Sequence, residues 1–564
     1  MKMGVKNCPK PAGMLAILFT LAVLIQSSYG RIHHHRFVVK SSSYTRLCST
    51  KKILTVNGKF PGPTLKASRG DSLIIQFHNK AEYNITLHWH GVRQPRNPWS
   101  DGAEYVNQCP IRPGEKFTYK VQLTTEEGTM WWHAHSGWAR ATVHGMIIVY
   151  PEPGTGYPFP KPYAEVPIIL GSGGKRMRWT YQEMQIRLEE NQYCLMLTLS
   201  MDNLVICIHA PNKHGERYLL RIVSAIMDEN VFFSIAHHKF TLVGTDGFYT
   251  RPFQTDYIMI TPGQSMDVLL EADQPSSRLY YMAARAYSSA FGAGFDKTTT
   301  TGILQYGRAS DHSSSTVFPR LPPYNSTRAS TEFSRRLRSL ASREHPIDVP
   351  LKVDTHLFFT VSVNLIDCRG SSCKGPFGKR FSASLNNVSF VQPSVDILQA
   401  YYHHIRGVFE GNFPRNPPVK FDYTGKNLPD NLLTSDFGTR ALVLEYNASI
   451  ELILQGTNVL ASDNHPIHLH GYGFYVVGWG FGNFDPEKDP LGYNLVDPPQ
   501  ETTVGIPNNG WVAIRFRADN PGVWLLHCHL ERHQSWGMST IIVVKNGDTA
   551  QTRLLPPPHD LPSC

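Results

Sequence analysis

Apolar positions fall along this chain in short runs. "KILTVNGKFPGPTL" (52–65), "DSLIIQFHN" (71–79), "KFTYKVQL" (116–123) and "MIIVY" (146–150) are separated by Gly, Pro and Asn turns. That rhythm predicts the strands of a β-sandwich or barrel. It resumes after Pro160 and again from about Leu351. Each block carries a similar phrase late in its strands: "RPGEKFTYKV", "TPGQSMDVLL" and "NNGWVAIRFR". Three comparable blocks predict three related sandwich domains, over 31–153, 154–307 and 351–564. The polar, basic stretch 308–350 reads as a linker, partly helical around Phe333–Leu340. Its run "RRLRSLASREHP" reads as a solvated face.

A chain of 564 residues with 18% charged and 11% aromatic side chains is expected to fold into several domains. The net charge of +10 first suggests nucleic acid. The N-terminus argues otherwise. Lys2, Lys6 and Lys10 precede "MLAILFTLAVLI" (14–25) and small residues up to Gly30. This pattern, 1–30, reads as a secretory signal, too short to span a membrane. No later run is apolar enough to do so. A secreted, extracellular protein is therefore expected, with acidic polysaccharide a better neighbour than nucleic acid. Asn-x-Ser/Thr acceptors at Asn84, Asn325, Asn387 and Asn447 suit that compartment.

Chemistry enters with histidine. Four His-x-His pairs occur: His88/His90, His133/His135, His468/His470 and His527/His529. With 25 histidines, composition alone supplies about one such pair. On a strand, residues i and i+2 face the same way, so each pair aims two imidazoles at one point. Eight imidazoles in a dry core need partners, and metal ions supply them. Around Cys528 the pattern sharpens to "HCHLERHQSWGM" (527–538). Cys528, His533 and Met538 with His465 give two histidines, a thiolate and a weak axial thioether, the ligand set of a blue copper site. Zinc is the rival, but it prefers tetrahedral Cys/His sets without Met.

"HWHG", "WWHAHSGW", "HPIHLHG" and "HCHLERHQSWGM" resemble the four copper-binding motifs of the multicopper oxidases. "TRLCSTKKILTVNGKFPGPTL", "DGAEYVNQCPIRPG" and "TTTTGILQYG" resemble plant laccases more narrowly. The resemblance covers nearly all of the chain after the leader. It implies an all-β fold of three cupredoxin-like Greek-key sandwiches holding four copper ions. His465, Cys528, His533 and Met538 would form a type 1 site, and His88 and His468 a type 2 site. His90, His133, His135, His470, His527 and His529 would hold a type 3 pair, between domains 1 and 3. The implied activity is one-electron oxidation of phenols, such as monolignols or flavonoids, coupled to reduction of O2 to water in the apoplast. A monomer is expected. Asp101 resembles a proton-relaying acid, with a turn aspartate as the alternative. Asp228 matches a carboxylate offered to phenols, with a surface turn residue as the alternative. The axial Met points to the low-potential end of the family. Ascorbate or metal-ion oxidation is the runner-up activity, and a catalytically impaired product is a further alternative.

One stretch departs from the resemblance. After "EVPIILG" relatives continue Glu-Trp-Trp, where this chain has "SGGKRMRW" from Ser172. A one-base shift converts GAG-TGG-TGG-A into Ser-Gly-Gly, and a similar shift yields "LVICIHAP" (204–211). Residues 172–214 therefore read as a frame-shifted translation. Restoring the frame removes Cys194 and Cys207 and returns one cysteine. Six cysteines then remain besides Cys8 and Cys528. By resemblance they pair as Cys48 with the restored residue, Cys109–Cys564 and Cys368–Cys373.

Overall fold

The computed structural model describes residues 30–46, 49–171, 205–208, 215–275, 278–288, 290, 295, 297–306, 316–368, 373 and 375–564. The leader, Cys48 and all of 172–214 except 205–208 lie outside the described residues, and with them the signal and most of the frame-shift reading. Strands dominate the rest, with three α-helices, Thr327–Ser334, Ile397–Tyr402 and Glu531–Ser535.

The strands form six sheets, two in each block, and the blocks repeat one topology. The first strand of each runs parallel to a second, which pairs antiparallel with the strand made by the recurring phrase. In the first block these are Ile32–Arg46, Ser72–Asn79 and Lys116–Gln122. In the second they are Ala164–Gly171, Glu216–Ala225 and Ser265–Ala272. In the third they are Thr355–Ile366, Ser449–Gly456 and Gly510–Arg517. Period-two burial explains the packing. Leu73, Ile75 and Phe77 from one strand and Phe117, Tyr119 and Val121 from its neighbour all enter one core. Each such side chain stabilises the fold by about 1.5–3 kcal/mol. Separate large clusters fill the second and third sandwiches.

The opposite sheets repeat as well. Leu65–Ser68, His144–Tyr150, Gly128–Ala134 and Leu87–His90 lie side by side in the first block. Ala441–Leu444, Ser539–Val544, Gly522–Cys528 and His465–Leu469 match them in the third. Val205–Ile208, Thr299–Tyr306, Leu279–Tyr287 and Asn230–Ile235 match them in the second. The last two strands of this series carry all four His-x-His pairs in blocks one and three, or end beside them.

The helix expected at Phe333–Leu340 lies earlier, at Thr327–Ser334. Ser326 caps it, its hydroxyl accepting the Ala329 N–H at 3.2 Å. The chain then leaves the helix so that Phe333 and Leu337 both enter the second sandwich's core. Ser339 bridges to Thr250, so this stretch packs against the second sandwich. Its arginines stay outward: Arg336 covers the Phe253 ring, and Arg338 pairs with Asp497 at 3.4 Å. Disulfides join Cys109 to Cys564 and Cys368 to Cys373.

Candidate metal centre

Strand register assembles the site. Leu87–His90 pairs with Gly128–Ala134 so that His88 faces His133. His465–Leu469 pairs with Gly522–Cys528 so that His468 faces His527 and Ile467 faces Cys528. The two sheet edges meet, and eight imidazoles converge. His90, His133 and His529 bring ligating nitrogens within 4.8 Å of one another. So do His135, His470 and His527, and so do His88, His90 and His468. His88 stacks on His470 at 3.9 Å between ring centroids, and His90 on His468 at 3.7 Å.

A second group lies one residue away along the chain. Cys528 Sγ is 3.8 Å from His465 Nδ1 and 3.7 Å from His533 Nδ1, with Sγ buried among them. The helix Glu531–Ser535 turns the chain so that His533 comes back to the thiol. Met538 is fully buried, its N–H donating to His533 O at 2.9 Å and its carbonyl accepting the Cys528 N–H at 3.0 Å.

Hydrogen bonds orient the rings. Nδ1 of His88 meets Asp101 O at 2.8 Å, that of His468 meets Thr502 O at 2.7 Å, and that of His133 meets Ala134 O at 2.9 Å. His470 Nδ1 meets Asp101 Oδ2 at 2.8 Å. These contacts assign the proton to Nδ1 and leave Nε2 as the lone-pair nitrogen. His90 is reversed: its Nε2 meets Thr503 Oγ1 at 2.9 Å, freeing Nδ1. Burial, helped by neighbouring rings, holds the pKa values of His90, His133, His468, His470, His527 and His529 well below the usual range. It lowers His135 to about 3 and His465 to about 4. These are neutral imidazoles at ordinary pH. Nε2 of His88, His135 and His468 is buried without a hydrogen-bond partner. Dry, neutral, orphaned nitrogens are costly in a core and suited to a borderline or soft cation. Burial also raises the Cys528 thiol pKa, so deprotonation there requires a cation. The donor set fits copper.

Three family models, each described as "Multicopper oxidase", match residues 38–154, 208–309 and 412–548. Laccase-14 of Arabidopsis thaliana is 59% identical over 560 residues, covering 97% of each chain. Laccase-12 of Arabidopsis thaliana is 47% identical over 565 residues, again covering 97% of each. The chain belongs to the laccase family of multicopper oxidases. A laccase structure from Botrytis aclada superposes with a TM-score of 0.71 at 25% identity, covering 94% of this chain and 89% of that one. Fet3p, described as a multicopper oxidase that functions in iron import, superposes at 0.68 with 20% identity and shares the fold. It covers 91% of this chain and 90% of its own. The three sandwiches are thus cupredoxin-like. The enzyme is a copper-dependent laccase that oxidises phenolic donors and reduces O2. Ascorbate and metal-ion oxidation are not favoured.

Both acids singled out by sequence are buried: Asp101 lies in the turn that ends Pro98–Ser100, and Asp228 in the bend before Asn230–Ile235, so Asp228 is not a surface residue. Asp101 bonds His470 and lies 3.4 Å from His88 Nδ1. Asp228 is buried, its Oδ1 accepting the Arg532 N–H at 2.9 Å. Burial raises its pKa against the opposing pull of Arg532.

Sequence reasoning missed five groups. Thr503 orients His90. Arg140, buried against the His529 ring, pairs with Glu531 at 2.8 Å. Arg532 pairs with Asp463 at 2.9 Å. Of these, only Glu531 and Arg532 carried a signal, lying between His529 and His533 in "HCHLERH".

Proposed function

We propose that this laccase carries four copper ions in two sites. His465, Cys528, His533 and Met538 would hold one ion, and the eight paired histidines the other three. Within the eight, His88 and His468 would serve a type 2 ion, with His90, His133 and His529 on one type 3 ion and His135, His470 and His527 on the other. The observation that carries this reading is the grouping itself: one Cys/His cluster beside three His triads, two of which share His90. When bound, copper supplies one-electron acceptance from the donor and four-electron reduction of O2.

The protein's own residues do the rest. Cys528 joins His527 and His529 through the backbone, giving a short covalent path between the two clusters. Burial of both clusters excludes bulk water. Asp101 fixes the His470 ring through Oδ2 and the His88 ring through its carbonyl. It is the acid placed to hold a proton there as O2 is reduced. Asp228 would accept the phenol proton; its raised pKa makes it a stronger base than an exposed aspartate.

The domain limits 31–153, 154–307 and 351–564, with 308–350 between, are proposed on the repeated topology. Secretion to the apoplast is proposed on the leader pattern, which precedes the described residues. Among the described residues, no helix is long and apolar enough to cross a membrane. Asn84, Asn325 and Asn447 are exposed and Asn387 half-buried, all available as glycan acceptors. A monomer, attracted to acidic polysaccharide by its +10 charge, completes the proposal.

Steady-state oxidation of a methoxyphenol, ascorbate and Fe(II) tests the substrate reading. The phenol is expected to give the highest kcat/KM; preference for ascorbate or Fe(II) contradicts it.

A further inference from the structure

A charge cluster flanks the thiol group, and of its members only Asp228 has a part in the chemistry described above. Arg532 lies between Glu531 and His533, with its side chain 22% exposed. Its backbone N–H donates to Asp228 Oδ1 at 2.9 Å. Its guanidinium donates to Asp463 Oδ2 at 2.9 Å. Its Nε lies 3.4 Å from His533 Nε2. Asp463 stands two residues before His465, and its Oδ1 accepts the Asn464 N–H at 2.7 Å. One arginine therefore ties the His533 arm to the His465 arm, and both to the second sandwich through Asp228.

Such a tie has two physical consequences. A planar guanidinium holds a carboxylate in fixed geometry, which a lysine ammonium does not. It also offsets nearby negative charge. Losing one partner of a buried pair leaves the other uncompensated. Uncompensated carboxylates beside a redox ion favour its more positive, oxidised form.

We infer that Arg532 is a positioning residue for the mononuclear site. It spaces the two histidine arms and offsets Asp463 and Asp228, holding the site's reduction potential above the value its ligands alone would set. This rests on the proposed assignment of His465, Cys528 and His533 as ligands to that copper.

The test is a redox titration of the copper-loaded, full-length enzyme, following its blue absorbance. Arg532→Gln is expected to shift electron exchange toward the oxidised form by about tenfold, a fall of about 59 mV for a one-electron couple. Asp463→Asn is expected to shift it the other way, and the double variant to return toward the parent value. Arg532→Lys keeps the charge and loses the fork. It is expected to keep the potential but to lower the unfolding temperature of the copper-free protein. Unchanged potentials in both Arg532→Gln and Asp463→Asn, with the blue band intact, overturn the inference. If Arg532→Gln fails to fold, Asp463→Asn decides: a rise supports it and no change overturns it. A parent enzyme with copper bound but no blue band would instead overturn the ligand assignment.

Discussion

At the scale of single residues, Cys528 is the side chain that cannot be replaced. Its thiol is fully buried between two imidazoles and stands outside both disulfides. Cys528→Ser is expected to abolish blue absorbance and phenol oxidation while the eight-histidine cluster still loads, leaving three coppers per chain. Metal analysis beside the visible spectrum checks this. Asp101 acts through the rings it orients. Asp101→Ala is expected to lower kcat by roughly 10–100-fold, as loss of a hydrogen-bond partner to a metal-bound histidine generally does. Steady-state kinetics checks it, and unchanged kcat would remove Asp101 from the machinery. The histidines were legible because i, i+2 spacing on a strand is a geometric statement needing no tertiary information. Arg140 and Thr503 were not, because their contacts span hundreds of residues. Arg140 reaches His529 across 389 positions, and Thr503 reaches His90 across 413.

At the scale of elements, strand register and tight turns bring the ligands together. The turn at Gly263 comes close to the cluster. Its φ is +96°, and an added Cβ would lie 3.0 Å from the His529 ring and 3.1 Å from the His90 ring. Gly263→Ala therefore strains the backbone and presses on two of the clustered histidines from the second sandwich. It is expected to lower copper content at the cluster and the unfolding temperature together. Copper analysis and calorimetry check this; full occupancy at an unchanged temperature would contradict it. The recurring phrase was readable as a strand because its apolar positions alternate. The helix was placed about six residues late. "RRLRSL" has helical composition, but Phe333 and Leu337 are claimed by the second sandwich's core, and the Ser326 cap sets the start upstream. That the cluster lies between the first and third sandwiches was legible, but how their sheet edges meet was not. That depends on how whole domains dock.

At the scale of the molecule, the first sandwich is joined to the C-terminal tail. Cys109 in the first sandwich bonds Cys564, 455 residues away. Cys564→Ser is expected to destabilise the protein by about 2–5 kcal/mol, seen as a lower denaturant midpoint without loss of the blue band. The buried histidines link folding to pH. Their folded pKa values lie below the unfolded value of 6.5, with His465 at about 4 and His135 at about 3. The unfolded chain then binds more protons than the folded one between those values. Stability is full above about pH 6.5 and declines as pH falls toward about 3–4. The copper-free protein is expected to lose urea resistance between pH 7 and pH 4.5. The loaded protein should resist longer, because metal competes with protons for the same nitrogens. Equal midpoints across that range would contradict the burial argument. The central claim is that two buried clusters, joined through His527–Cys528–His529, together hold four redox-active coppers. An anaerobic reductive titration of the purified, copper-loaded enzyme tests it most directly. The account predicts four copper ions and four electrons taken up per chain, with the blue band bleaching as they enter. Fewer than four electrons at full metal loading, or no blue band to bleach, would contradict it.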